Sequence, residues 1–176
     1  VFKRERLGMF EDTAVTAVIP MPDWEECGDP AAQITCEADL DGIDDMVLAV
    51  DYGPAMTSAA VVAAWPEPST RLPTVERLET PSGHTRWVAP RVAELVESRP
   101  VTAVVIDGYG QRGTLVEDLQ ARGVGPTLIA VDYVKTAAEI FVDSVTGHRL
   151  RHSNQPSLTS TIPAARRQKV GDRWKL

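Results

Sequence analysis

The stretch at residues 101–113, "VTAVVIDGYGQRG", has two incompatible readings. An apolar run ends on Asp107, and glycines follow at 108, 110 and 113. The run reads as a buried strand, and the glycines as a turn that opens a helix. The same glycines spell G-x-G-x-x-G, the pattern that holds a pyrophosphate at a helix N-terminus. On that reading Asp132, 19 residues after Gly113, supplies the acid for a ribose. Three features oppose it. Asp107 would set its charge against the phosphate. The unit starts after 100 residues instead of opening the domain. Asp51, at the end of another apolar run, would have no role. The competing reading makes the glycines turn residues that relieve crowding beside a carboxylate site.

Outward from this stretch, "MVLAVD" (46–51) and "TSAAVVAAW" (57–65) read as two strands. The Gly-Pro link between them is too short for a parallel crossover, so they form an antiparallel hairpin. "TVERLET" (74–80) alternates polar and apolar residues, as a third, half-exposed strand does. Val88, Val92, Leu95 and Val96 follow helical spacing, and Leu115 and Leu119 mark a helix ending at Gly123. "TLIAVD" (127–132) is a fifth strand, and Val134, Ala138, Phe141, Val142 and Val145 a last helix ending at Gly147. The order β-β-β-α-β-α-β-α predicts an α/β fold of the ribonuclease H-like kind: a mixed sheet of about five strands with flanking helices.

In that layout the first and fourth strands are neighbours, and Asp51 and Asp107 meet at one edge of the sheet. Two carboxylates that close repel unless a cation lies between them. Paired carboxylates holding two Mg²⁺ or Mn²⁺ ions, about 3.5–4 Å apart, are what two-metal phosphodiester cleavage uses. Tyr52 and Tyr109 follow the two strand ends and are placed to line such a site. Trp65 and Trp87 read as packing residues, and Asp143 as a surface or cap residue.

Residues 1–45 read as a linker or peripheral segment, and residues 46–176 as the domain. "EADLDGIDD" hints at a calcium loop through Asp39, Asp41 and Gly42, but the twelfth position is Val50, not glutamate. The chain of 176 residues carries a net charge of −7. From Arg149 onward it holds seven Lys/Arg and one acid, or +6, on a body of −13. A basic segment on an acidic body predicts contact with a polyanion. No apolar run reaches the ~20 residues of a membrane span, and "VFKRERLGMF" is not a signal peptide. Lacking an initiator Met, the chain is expected to be a fragment or a processed product. Cys27 and Cys36 read as free thiols in a reducing cytosol, not as zinc ligands.

The chain also resembles the C-terminal part of tailed-phage large terminase subunits, over nearly its whole length. "FKRERLGMF" resembles the segment leaving the family's ATPase domain. "MVLAVDYGPAMTSAAVVAAW" resembles the first nuclease hairpin. "TRWVAPRVAELVESRPVTAVVIDGYGQRGTLVEDLQARGV" resembles the stretch with the second acid. "FVDSVTGHRLRHSNQPSLTSTIPAARRQKVGDRW" resembles the late segment with its Gly-Asp-x-Trp signpost. The resemblance implies a DNA endonuclease in the host cytoplasm, with Asp51 and Asp107 as catalytic acids and metal ligands. It implies double-stranded DNA, a portal and a small terminase subunit as partners. Arg149, Arg151, His152, Arg166, Arg167 and Lys169 are the candidate DNA contacts.

Three departures stand beside it. No Walker A motif is present, so the packaging ATPase is absent from this sequence. Pro163 should kink or shorten the helix expected over "SLTSTIPAARRQ". The family's third acid normally lies past the signpost, and the chain stops at Leu176. The nuclease domain is therefore expected to be truncated at its C-terminal end, with Asp172 the remaining candidate for a third ligand. Three alternatives stay open: a dinucleotide- or nucleotide-binding domain using Gly108–Gly113, a sugar-kinase-like ATPase, and a non-catalytic DNA-binding module with an incomplete site. The ATPase reading leans on a loose phosphate-loop likeness in "DYGPAMTS", and 176 residues leave no room for its second lobe.

Overall fold

In the computed structural model the described residues are 17–29, 42–53, 57–78, 84–108, 113–170 and 173–175, with 168–170 and 173–175 described by their backbone alone. A short helix α1 (Met21–Glu26) precedes the strands β1 (Met46–Tyr52), β2 (Ala59–Pro66) and β3 (Pro73–Arg77). Helix α2 (Val88–Ser98), strand β4 (Val101–Asp107), helix α3 (Gly113–Ala121) and strand β5 (Thr127–Ile129) follow. Helix α4 (Val131–Thr146), the single turn α5 (Pro156–Thr159), a 3-10 turn (Ile162–Ala164) and the strands β6 (Gln168–Val170) and β7 (Arg173–Lys175) complete the order.

Five strands form one mixed sheet in the order β3-β2-β1-β4-β5, and β6 pairs with β7 apart from it. The β1–β2 and β2–β3 pairs are antiparallel, and the β1–β4 and β4–β5 pairs parallel. This is the expected ribonuclease H-like arrangement. Leu48, Val50, Val61, Ala63, Val104 and Ile106 point to one face of the sheet and pack under Val92 and Leu95 of α2 and Leu115 and Leu119 of α3. A second core lies over the β3 end of the other face, where Val75 meets Ile19, Trp24, Phe141, Val145, Leu150 and Ile162. The sheet thus separates two helical layers.

Three local expectations need correction, and a fourth holds. The fifth strand stops at Ile129, and α4 starts at Val131. Asp132 therefore sits in the first turn of a helix, where the N-terminal dipole favours a carboxylate and where Lys135 Nζ donates to Asp132 Oδ1 at 3.1 Å. Alternation placed Glu76 on an exposed face, yet Thr74 and Glu76 are both buried. The cause is tertiary, because residues 151–153 run beside β3. Thr74 and Arg151 form a parallel bridge, Arg151 N–H donates to Pro73 O at 2.8 Å, and Val75 N–H donates to Arg151 O at 3.0 Å. The segment expected to be peripheral also contributes: residues 17–29 pack into the second core through Ile19, Trp24 and Cys27. Near Pro163 the helix is only the four residues of α5 and then a 3-10 turn, as a ring without an N–H requires.

Glu76 is fully buried at 0% exposure. Its Oε1 accepts the Ser153 N–H, while Oε2 has no partner among the described residues. Burial pushes this carboxyl above the usual range, against the pull of the Ser153 hydrogen bond. A raised folded value gives stability that is complete below the unfolded value and is lost as pH rises through the folded one. Glu76→Gln keeps the acceptor and removes the buried charge. It should raise stability by about 1 kcal/mol at pH 7.5 and leave it unchanged near pH 4.5. Thermal melts at the two pH values measure this, and an equal effect at both would remove the charge as the cause.

Candidate active site

Both sequence-predicted acids lie at C-terminal strand ends, on strands that are neighbours. The β1–β4 ladder begins with Met46 opposite Val101, gains one residue in β4, and continues with Val47 opposite Ala103 up to Val50 opposite Ile106. The Thr102 hydroxyl donates to Met46 O at 3.1 Å where the register shifts. Carried one residue further, the shifted register sets Asp51 level with Asp107. Val50 and Ile106 both face the buried core. Strand alternation therefore turns both aspartates to the opposite face, where Asp51 is exposed and Asp107 half-buried.

Local bonds hold the two strand ends. Tyr52 N–H donates to Asp51 Oδ1 at 2.8 Å. Asp107 pairs with Ile129 of β5, and Gly108 N–H donates to Ile129 O at 2.9 Å. A Cβ on Gly108 would stand 3.0 Å from that oxygen, so this position is a close approach of backbone to backbone. Among the described residues a Cβ on Gly113 would meet nothing within 4 Å. The last glycine of a dinucleotide fingerprint serves tight helix–strand packing, and Gly113 has no such packing to serve. With Asp132 turned to Lys135, the dinucleotide reading loses two of its parts. Gly110 and Tyr109 lie outside the described residues.

Two carboxylates on one face suit a hard divalent cation, which takes oxygen ligands. Among the described residues, no three of His, Cys, Asp and Glu stand close enough together to hold a metal ion. Asp172, the candidate third ligand, lies outside the described residues, as do Asp39, Asp41 and Cys36.

The basic candidates lie on several elements. Arg151 stands beside β3, in the row of Met46 and not that of Asp51. Strand spacings put it about 20 Å from the carboxylates. The Arg149 guanidinium pairs with Asp143, the residue read as a cap. Arg166 is exposed, with Nη1 donating to Pro163 O at 2.7 Å and Ala165 O at 2.8 Å, and Arg167 is also exposed. Lys169 is in β6, and its side chain lies outside the described residues.

His152 requires a correction. It is not at the surface but fully buried, stacked on Trp24 with ring centroids 3.8 Å apart and planes 9° from parallel. Its Nε2–H donates to Trp24 O at 2.8 Å, and its Nδ1 accepts the Asn154 N–H at 3.1 Å. In this arrangement it cannot reach a phosphate. Trp24, Glu76 and the Lys135–Asp132 pair escaped the sequence reading. Trp24 had a signal as an aromatic in the polar stretch "IPMPDWEECGDP", and the Lys135–Asp132 pair had one in its i, i+3 spacing.

No family model matches the chain, and no curated protein matches it. Solved structures do. The HK97 bacteriophage large terminase superposes with a TM-score of 0.60 at 15% identity, over 82% of this chain and 35% of that one. The large terminase nuclease of the thermophilic phage G20c gives 0.56 at 15% identity, over 72% of this chain and 68% of that one. The fold is that of a phage large-terminase nuclease domain. The Thermus phage P74-26 large terminase nuclease domain agrees, with a TM-score of 0.54 at 15% identity over 73% of this chain and 66% of that one. This chain therefore spans about a third of the length of the HK97 terminase it matches. The G20c terminase nuclease has also been solved with bound magnesium, cobalt and zinc.

Proposed function

We propose that this chain is a metal-dependent endonuclease domain that cuts concatemeric double-stranded DNA during phage packaging. The observation that carries the reading is the placement of Asp51 and Asp107 at adjacent parallel strand ends, on one face of the sheet. The terminase-nuclease fold, and the metal-bound forms of the G20c nuclease, support it.

Asp51 and Asp107 would hold two Mg²⁺ or Mn²⁺ ions, with Asp172 as the third ligand. Such ions activate water and offset charge on the leaving oxygen. The protein's own contribution is position. β1 and β4 are fixed by the core beneath them, so the carboxylates keep their spacing when a phosphodiester arrives. The exposed side of Asp51 leaves room for a duplex backbone. The host cytoplasm is the proposed compartment, and a portal and a small terminase subunit are the proposed partners.

The test is plasmid nicking in Mn²⁺. Cleavage that depends on the metal and is blocked by chelator supports the reading. Mn²⁺ binding without cleavage would favour an incomplete nuclease site, and neither would favour a DNA-binding module.

Arg149, Arg151, Arg166, Arg167 and Lys169 are proposed phosphate contacts. Such contacts act by releasing counterions and carry little sequence preference. Duplex affinity should fall steeply with salt. Replacing Arg166 and Arg167 together with Ala should flatten the slope of log K against log salt by about 1.8, at about 0.9 per phosphate. Equal slopes for the variant and wild type would place the DNA on another face.

A further inference from the structure

The segment Arg151–Asn154 is wedged between β3 and the end of α1. On the β3 side it is held by the Thr74–Arg151 bridge and by Glu76 Oε1, which accepts the Ser153 N–H. On the α1 side, Gly28 and His152 form a parallel bridge, His152 N–H donates to Cys27 O at 3.3 Å, and Asp29 N–H donates to His152 O at 2.8 Å. Residues 27–29 are therefore fixed to the sheet through His152.

The imidazole completes the joint from both of its nitrogens. A backbone carbonyl can only accept, so Trp24 O requires a proton on Nε2. A backbone N–H can only donate, so the Asn154 N–H requires a lone pair on Nδ1. The neutral Nε2–H tautomer satisfies both, and the imidazolium does not. A second proton would face the Asn154 N–H and bury a charge at 0% exposure.

We propose that the Trp24–His152 joint is a proton-operated latch: the neutral imidazole holds α1 to the β3 edge, and a proton on Nδ1 releases it. The rest of the sheet has no part in the joint, so the release is local.

The surrounding charges define the opposing influences. Stacking on the Trp24 ring favours imidazolium through the indole π face. Glu76 lies on the other side of the same segment, with its Oε1 turned to the Ser153 N–H. The Arg151 guanidinium turns toward His148 O and Leu150 O. The Cys27 thiol turns toward Val145 O. Asp29 offers its backbone N–H to His152 O. Asp23 and Glu26 face His148 instead, 4.0 and 3.4 Å from its Nε2. His148 is thus a second contact of α1, apart from the joint. Burial lowers the His152 value below that of a free histidine. Its stabilising effect is complete above the unfolded value and is lost as pH falls through the folded one.

The test is amide hydrogen exchange of the whole chain, corrected for intrinsic rates, between pH 7.5 and pH 5. It is run in a His148→Gln background, which removes the other imidazole that contacts α1. Protection at residues 21–29 should fall at least tenfold on acidification, while α2 and β1 keep theirs. His152→Gln should make exchange at 21–29 independent of pH. Should that variant fail to fold, the His152 ring signal in a nuclear magnetic resonance titration must move with the same midpoint as the loss of protection. Three results would overturn the latch: protection at 21–29 that ignores pH, protection lost at one midpoint throughout the molecule, or a folded His152→Gln that stays acid-labile. None of them depends on cleavage, so the nuclease reading stands or falls separately.

Discussion

Asp51→Asn and Asp107→Asn should each slow plasmid cleavage about 10³-fold while leaving the melting temperature near that of the wild type. Carboxylates that hold catalytic metal supply several kcal/mol of charge stabilisation in the transition state, and each 1.36 kcal/mol is about tenfold in rate. An amide keeps the shape and gives up the charge. Asp51 is exposed and Asp107 half-buried, both on the face opposite the main core, so neither exchange disturbs packing. Mn²⁺ affinity should fall with the rate. Full cleavage by either variant would remove the carboxylate pair as the site. Normal cleavage by Asp132→Asn is the matching control, because that side chain is engaged by Lys135.

Trp24→Ala should give the largest loss of stability, about 3–5 kcal/mol, against a total of about 5–15 kcal/mol for a domain. Trp24 has 0% exposure, stacks on His152, stands 6.4 Å from the Phe141 ring, and donates its indole N–H to Thr159 Oγ1 at 3.2 Å. Removing it opens a cavity where α1, α4 and α5 meet. Trp24→Phe should cost less, since it keeps most of the buried area and loses only the indole hydrogen bond. Urea midpoints of the two variants measure the difference. A loss under 1 kcal/mol for Trp24→Ala would mean that residues 17–29 contribute nothing to the fold.

The charged residues show how much of their placement the sequence leaves undecided. Charge alone offered Arg149 and Arg151 as phosphate contacts and displayed no partner for either. In the fold Arg149 is matched with Asp143 six residues away, and Arg151 lies along β3. His152 looked like their surface neighbour, and Glu76 like the polar half of an alternating strand. Both are buried by the same event, the return of residues 151–155 to the sheet edge. Gln155 Oε1 accepts the Arg77 N–H at 2.9 Å there, 78 residues away in sequence. A contact that distant leaves no periodicity in either partner. The TLIAVD stretch misled for a local reason: its last three residues read equally well as strand or as first helical turn, and the Asp132–Lys135 spacing favoured the helix.

The sequence by itself determined the sheet and its two acids. Two apolar runs of strand length each ended on an aspartate, and a link too short for a crossover made β1 and β2 a hairpin. The helical spacing between the third and fourth strands then made β4 run parallel to the first. These are consequences of backbone geometry over a few residues, and they survive any packing that buries the runs. Only the tertiary structure decided that Asp51 and Asp107 stand level and on one face. That follows from one extra residue in β4 at Thr102, together with Val50 and Ile106 both turning into the same core. It also decided that α1 and His152 belong to the fold, because their burial depends on surfaces more than 100 residues apart in the chain.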